Sequence, residues 1–524
     1  RPRPPRTWPS CSRTAAAAPA PRPRRRPRQR SRGGAIPPER GQPLSLPRLL
    51  SLAALGLAVA ALGYRLANLD LAPFILDEPQ FLAAATEQLR TGRWLRASPL
   101  VGTQGVTYGP SVLWFYGAVH ALLGPSPERS ILAMCLLVTA SHLALALALA
   151  RLLRGGVLLA ALLVGLLAAS PYQFFWSRLA WDQLVNVCAA WALVLLATQA
   201  PLGAARSLAL GLVLGVAVSS HLMVLPLVAL VLAGLAWELR TEPRRLLRTL
   251  ALLAAGLLAV NLPYLGYLAA HPPPALPPPR GSLQLLGVHL LQPARVATLW
   301  GIDYFFDGDW GRFLAGSALA RTLHAASLPL LAALLLASAA GLGVALRSSE
   351  RGTRRVALLA VLTWLGYGAF YALRGLEPQP HYQFPTGWVL PFGLAAGVQA
   401  LRGYRPRLGG LAVGALAALA CVQLAFIGGW MHFIREGGGT RGVHYATPLA
   451  LQQQALAAAC SASSGPLLLQ NETRLFAPSL QYAAWSLPAC AGRQVGLCAG
   501  RCPRGLLYRR LRYASATGGA LAVE

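Results

Sequence analysis

Lysine is absent: all 47 basic residues of the 524-residue chain are arginine. Acids are scarce, with 17 Asp and Glu, and charged residues of both signs reach only 12%. A soluble domain carries about 25%, so this composition excludes that class. Hydrophobic residues make up 55%. Runs such as 130–150, 207–237 and 325–346 are near or above the roughly 18–20 residues that cross a bilayer. The net charge of +30 invites a nucleic-acid partner. The all-Arg usage points instead to a coding bias. Most of the Arg lie before the first apolar run or in short loops, where positive charge orients a membrane protein.

Residues 1–47 read as a disordered Arg/Pro-rich cytoplasmic tail, native or the product of a misplaced start, because they hold almost no large apolar residues. The apolar run from about Leu49 is too long for a cleavable signal. The expected fold class is all-α and polytopic. About eleven transmembrane helices are predicted, near 48–68, 130–150, 156–173, 183–199, 207–220, 222–238, 249–268, 323–346, 356–373, 383–401 and 408–429. They form a transmembrane domain over 48–429, followed by an external C-terminal domain over 430–524.

The segment 110–124 decides the topology. As a helix it covers only about 22 Å, short of the roughly 30 Å hydrocarbon core. It reads as interfacial, with Trp114, Tyr116 and His120 suited to that depth. With the N-terminus inside, Arg151/Arg154, Arg206, the runs 240–248 and 347–355, and Arg402/Arg405/Arg407 are then cytoplasmic. The opposite choice would place nearly all of them outside, against the positive-inside rule.

The loops 69–129, 172–182 and 269–322, the turns at His221 and 374–382, and the tail are consequently external. Four of the eight Cys fall in that tail: Cys460, Cys490, Cys498 and Cys502. At least one disulfide is expected among them, and sequence does not choose the pairing. Cys135, Cys188 and Cys421 lie in apolar helices and read as buried. A helix at 448–460 and strands at 466–470, 494–498 and 506–513 suggest a small α/β or irregular domain.

Because acids are few, their places are informative. Asp77 and Glu78 follow the first helix. Asp77 as N-cap with Gln80 three residues on makes a capping box, and Phe81, Leu82, Ala85 and Leu89 give an apolar stripe. Capping and chemistry can coexist there. Asp182 lies on the same predicted side, so it could share a metal with Asp77 or divide base and orienting duties with it. Arg178 is placed either to pair with Asp182 at i,i+4 or to hold a phosphate. His221, and His381 with Tyr382, sit at external helix ends. Such residues are more often caps than ligands, and their spacing specifies no metal site. Asp307-Gly-Asp309 reads as a turn rather than a nucleotide-sugar motif, and Asn471-Glu-Thr473 fits a glycosylation sequon.

The order of these features resembles the GT-C glycosyltransferases, in the branch of protein O-mannosyltransferases and the lipid A aminoarabinose transferase. The likeness rests on LDEPQFLAAATEQLRTGRW, TYGPSVLWFYGAVHALLGPSPERS, SPYQFFWSRLAWD, GLVLGVAVSSHLMVLPL and PHYQFPTGWVLP, over roughly 48–430. The sequence departs from the commoner pattern at Tyr108-Gly109-Pro110, where many relatives carry a charged residue or a second Pro.

The resemblance implies an inverting transfer from a polyprenyl-phosphate sugar to a hydroxyl of a lipid, glycan or protein, outside the cytoplasm. It also implies a bacterial inner-membrane setting. Asp77 would be the base, with Glu78 and Asp182 assisting or sharing a divalent metal. Arg178, Tyr108, His221, His381 and Tyr382 would contact substrate. The rival readings are a transporter or flippase, a lipid-linked glycan polymerase or ligase, and a scaffold. Scarce mid-membrane acids and the lack of an inverted repeat disfavour the transporter.

Overall fold

Leu- and Ala-rich runs favour helix, since neither residue offers a polar competitor to the backbone. The computed structural model describes residues 46–523 apart from 76, 103–104, 198–201, 275–280, 377–378, 441–444, 446, 462–466, 472–476, 492–494, 499–506 and 515–519. The tail before residue 46 and Cys502 lie outside the described residues, as does part of the sequon.

The chain opens with α1 (Leu46–Leu66), α2 (Asp77–Thr91), α3 (Ser111–Leu123), α4 (Pro127–Leu152), α5 (Gly156–Ala168) and α6 (Pro171–Trp176). It continues through α7 (Leu184–Leu196), α8 (Ala204–Ser220), α9 (Leu225–Leu239), α10 (Pro243–Ala270), α11 (Leu283–Ala297) and α12 (Trp310–Gly316). The last six are α13 (Ala318–Leu346), α14 (Arg351–Arg374), α15 (Val389–Tyr404), α16 (Pro406–Gly437), α17 (Leu449–Ser461) and α18 (Ala477–Ser486).

Each of the eleven expected segments contains a helix. Among the described residues, six helices are long and apolar enough to cross a membrane: α4, α9 with its preceding turn, α10, α13, α14 and α16. Five shorter apolar stretches lie in α1, α3, α5, α7 and α8. α5 is buried from Leu158 through Ala168, as expected of a helix that is hydrophobic all round.

Among the boundaries that differ from the prediction, α16 runs on to Gly437 rather than ending at 429, and two others fall at prolines. The 156–173 segment breaks after Ala168, where Ser170 accepts from the Gln173 amide and Pro171 starts α6. This is the Ser–Pro pattern of a new N-terminus. In 383–401, α15 begins only at Val389, after a 3-10 turn over Pro380–Thr386. Pro380 opens that turn and Pro385 lies within it.

Three burial expectations also change. Tyr116 is fully buried, with its hydroxyl donating to the Trp181 carbonyl at 3.0 Å. His120 is buried between Thr86 (3.1 Å) and Ser130 (3.0 Å). Both sit on the inner face of α3, which packs on α2 and α4, rather than at an interface with water. Cys421 is exposed on α16; an apolar helix needs no protein cover where its neighbour is lipid. The 307–309 stretch is a 3-10 turn, as its sequence indicates.

The Arg-rich loops meet at one end of the bundle. Arg154 pairs with Glu350, and Arg351 and Arg355 pair with Glu238. Thr353 donates to the Leu152 carbonyl at 3.3 Å, and Gln399 to that of Arg154 at 3.4 Å. Helix direction carries the loop 177–183, His221 and the turn at 380–386 to the other end.

There the residues after α16 are laced to the segment preceding α2. Tyr445 donates to the Leu71 carbonyl. The Leu449 amide donates to Ala72 at 2.9 Å, and the Gln452 side chain to Phe74 at 3.0 Å. Cys460 and Cys490 form a disulfide joining α17 to the turn after α18, and α18 packs on α2. Four strands, β1 (Leu467–Asn471), β2 (Val495–Cys498), β3 (Leu507–Ala514) and β4 (Ala520–Val523), form a sheet in the order β2-β1-β3-β4. β1 runs parallel to β2 and β3, and β4 is antiparallel to β3.

Candidate active site

α2 begins at Asp77, which puts the Asp77 and Glu78 carboxyls in its first turn, where the helix dipole favours negative charge. Phe81, Leu82 and Ala85, all buried, fix the helix against α3 and α4. The turn connecting α6 and α7 supplies Trp181 and Asp182. The loop before α3 supplies Tyr108. Gly109 is required there: a Cβ would lie 2.5–2.8 Å from Ser219. The loop therefore approaches the end of α8 closely enough to set Tyr108 against His221, ring centroids 4.5 Å apart.

His221 joins the two sides of the site. Its Nδ1 accepts from the Met223 amide at 3.0 Å, so a neutral ring carries its proton on Nε2. Nε2 faces Asp182 Oδ2 at 3.7 Å. Burial pushes the imidazole down to about 3, so this is the contact of a neutral ring with a carboxyl group rather than an ion pair. Asp182 is 1% exposed. Apart from its own backbone amide, neither carboxyl oxygen has a hydrogen-bond partner among the described residues.

The three acids act on one another. Burial, then the Asp77 charge, raises Asp182 well above the usual carboxyl range. Glu78 is raised well above it by burial, with Asp77 and Asp182 adding to the shift. Asp77 is raised by burial, opposed by a hydrogen bond from Trp181. Burial and the charges of Asp182 and Asp77 hold the Tyr108 phenol protonated, as a donor.

An aromatic wall completes the group. Tyr382 lies 6.2 Å from His221 and stacks on Tyr371 at 5.4 Å. His381 packs on Trp181 at 5.2 Å and Trp176 at 5.4 Å. Beside them is a cavity of about 150 Å³, between Tyr108, His221 and Tyr382 on one side and Met223, Phe370 and Arg374 on the other.

Seven of the eight sequence-derived residues thus gather: Asp77, Glu78, Asp182, Tyr108, His221, His381 and Tyr382. Arg178 does not join them. It is 1% exposed, lies over the Phe174 ring at 4.6 Å, and donates to Met431 Sδ at 3.1 Å and to the Asn68 carbonyl. The i,i+4 pair with Asp182 is not formed. Arg374, Trp181 and Tyr116 were not anticipated. Only the adjacency of Trp181 to Asp182 could have signalled one of them.

No group of three or more His, Cys, Asp or Glu side chains among the described residues is arranged to hold a metal ion. The pair Asp77 and Asp182 thus has no third such ligand among the described residues.

No family model matches the sequence, and no curated protein matches it. Solved structures do. The apo crystal structure of ArnT from Cupriavidus metallidurans is 14% identical, with a TM-score of 0.50 over 82% of this chain and 83% of that one. The crystal structure of the same protein bound to undecaprenyl phosphate is 14% identical, with a TM-score of 0.49 over 82% of this chain and 84% of that one. The shared property is the fold: the chain has the fold of ArnT, and six of its described helices are long and apolar enough to cross a membrane.

Proposed function

We propose that this protein is an inverting glycosyltransferase that moves a sugar from a polyprenyl-phosphate donor to an acceptor hydroxyl at the non-cytoplasmic face. The observation that carries this reading is the convergence of Asp77, Glu78 and Asp182 with Tyr108, His221 and Tyr382 at the end of the bundle opposite the Arg-rich loops. The fold shared with ArnT supports it. A lipid carrier stays in the bilayer, so its reaction needs a site at a membrane face with an apolar approach; the cavity beside Met223 and Phe370 suits that need.

In the proposed step the Asp77 carboxylate takes the proton of the acceptor hydroxyl. The hydroxyl oxygen forms a bond to the anomeric carbon on the face opposite the phosphate. The carbon–oxygen bond to phosphate breaks with its electron pair, and the carrier phosphate leaves as an anion. Positioned donors stabilise such an anion; Arg374 and the Tyr108 hydroxyl line the cavity for that purpose. Glu78 and Asp182 shape the field around Asp77, with the neutral His221 ring packed beside Asp182.

The test is Asp77→Asn assayed with a polyprenyl-phosphate sugar. Folding should survive, since losing one first-turn charge costs only about 0.3–1 kcal/mol. Transfer should fall on the order of the 10²–10⁴-fold typical of losing a general base. A folded, fully active Asp77→Asn protein would end the assignment.

A further inference from the structure

A second cavity, of about 670 Å³, opens at the Arg-rich end, remote in the fold from the acids. Its walls come from α9 and α14. Leu230 and Leu235 on one helix and Leu358 and Leu362 on the other make the deep part apolar. A Cβ at Gly234 would meet nothing within 4 Å, so the cavity continues past that residue. Four guanidiniums stand at its mouth, those of Arg240, Arg351, Arg354 and Arg355, against the single carboxylate of Glu238.

The one acid is already engaged. Glu238 accepts from Arg351 at 3.0 Å and from Arg355. Arg355 also donates to the Leu196 carbonyl at 3.3 Å. Arg240 lies over the Trp237 ring at 4.2 Å and donates to the Trp237 carbonyl at 2.7 Å. Arg354 has no carboxylate partner among the described residues. Trp237 is 63% exposed, in the manner of an aromatic residue at the headgroup level.

Positive charge at this end serves orientation in any case. Orientation requires no cavity, and it does not require the guanidiniums to share one mouth with a greasy interior. We infer that this cavity is a binding site for an anionic phospholipid of the bilayer, its phosphodiester held by Arg354 and Arg240 and an acyl chain lying between α9 and α14. Basic pockets between transmembrane helices suit such headgroups. The complementarity is double: net positive charge at the mouth and apolar walls behind it. Inorganic phosphate would meet only the first.

The full chain, purified in neutral detergent, is titrated with phosphatidylglycerol and with phosphatidylcholine of the same acyl chains, and binding is read by native mass spectrometry. Phosphatidylglycerol should bind saturably and phosphatidylcholine weakly. Arg354→Gln should weaken phosphatidylglycerol binding roughly fivefold, the share of one guanidinium at an anionic surface. Gly234→Leu, which fills the cavity and leaves every charge in place, should also weaken it. Arg244→Gln, at the same end but outside the lining, should not.

Equal binding of the two lipids would overturn the proposal. So would an Arg244→Gln defect as large as that of Arg354→Gln, since that would mean diffuse charge. Displacement of the lipid by equimolar inorganic phosphate would show a simple anion site and overturn it as well. If Arg354→Gln fails to fold, Gly234→Leu decides alone, and unchanged binding in that variant refutes the lipid.

Discussion

The Asp77 carboxyl meets two opposed influences, burial raising its pKa and the Trp181 hydrogen bond lowering it, with burial the larger. As a base it must be ionised. The acid limb of the pH–rate profile should therefore lie above the ~3.9 of a free Asp, and a limb at or below that value would argue against Asp77. Asp182 and Glu78 are raised further. A carboxyl raised on folding keeps its proton longer in the folded state, so stability falls as pH rises from about 4 through the raised value. Asp182→Asn removes that penalty. Thermal unfolding near neutral pH should occur at a higher temperature in this variant, while transfer declines. The two arginines separate in the same way. Arg374→Gln should leave the fold intact and weaken use of the phosphate-linked donor. Arg178→Gln should cost about 1–3 kcal/mol of stability, the penalty for disturbing a buried hydrogen-bonded polar group, as measured by thermal unfolding. Asp77 and Asp182 were legible in the sequence because acids are rare in it. Arg374 was not, because an Arg at a helix end carries the same signal whether it orients the chain or lines a cavity. Arg178 misled for a related reason: its spacing to Asp182 assumed one continuous helix, whereas α6 ends at Trp176 and α7 starts at Leu184.

Helices were legible wherever apolar runs exceed the bilayer thickness, as in α4, α13 and α16. They were less so where proline interrupts, since Pro171 starts a new helix that hydropathy alone smooths over. Burial on α3 was misread at Tyr116 and His120 because amphipathic residues suit a headgroup region and a polar interior equally well. The strands of the tail appeared near their expected places, but their order could not be read, because β1 sits between two parallel partners far along the chain. The loop before α3 offers a test at this scale. Gly109→Val would force a side chain into Ser219 and push Tyr108 away from His221. A loss of about 1–3 kcal/mol, usual for overpacking, should accompany reduced transfer. Unchanged stability and activity would mean that the close approach is not maintained. For α17 and α18, mass spectrometry of unreduced peptides should recover Cys460 linked to Cys490. Cys460→Ser should lower stability by about 3.6 kcal/mol, the scale for a loop closed over 30 residues.

The whole molecule is polarised, with arginine pairs such as Arg154–Glu350 at one end and the acid group at the other. Reporter fusions after residues 245 and 352 should both give cytoplasmic signals; non-cytoplasmic signals from both would reverse the proposed orientation and the face assigned to the reaction. This gross arrangement was legible from arginine placement alone. The meeting of the tail with the first loop was not, since hydrogen bonds between residues 374 and 378 positions apart leave no local pattern. That meeting sets an order of events during synthesis. The backbone leading into Asp77 leaves the ribosome more than 370 residues ahead of its partners Tyr445 and Gln452. A nascent chain that has threaded α1 through α16 can pack α2 on α3 and α4 but still lacks the contacts that tie down the backbone just before Asp77. Activity should therefore appear only once residues 445–452 have been made rather than grow as helices are added, and chains arrested between residues 437 and 445 should insert normally yet remain inert.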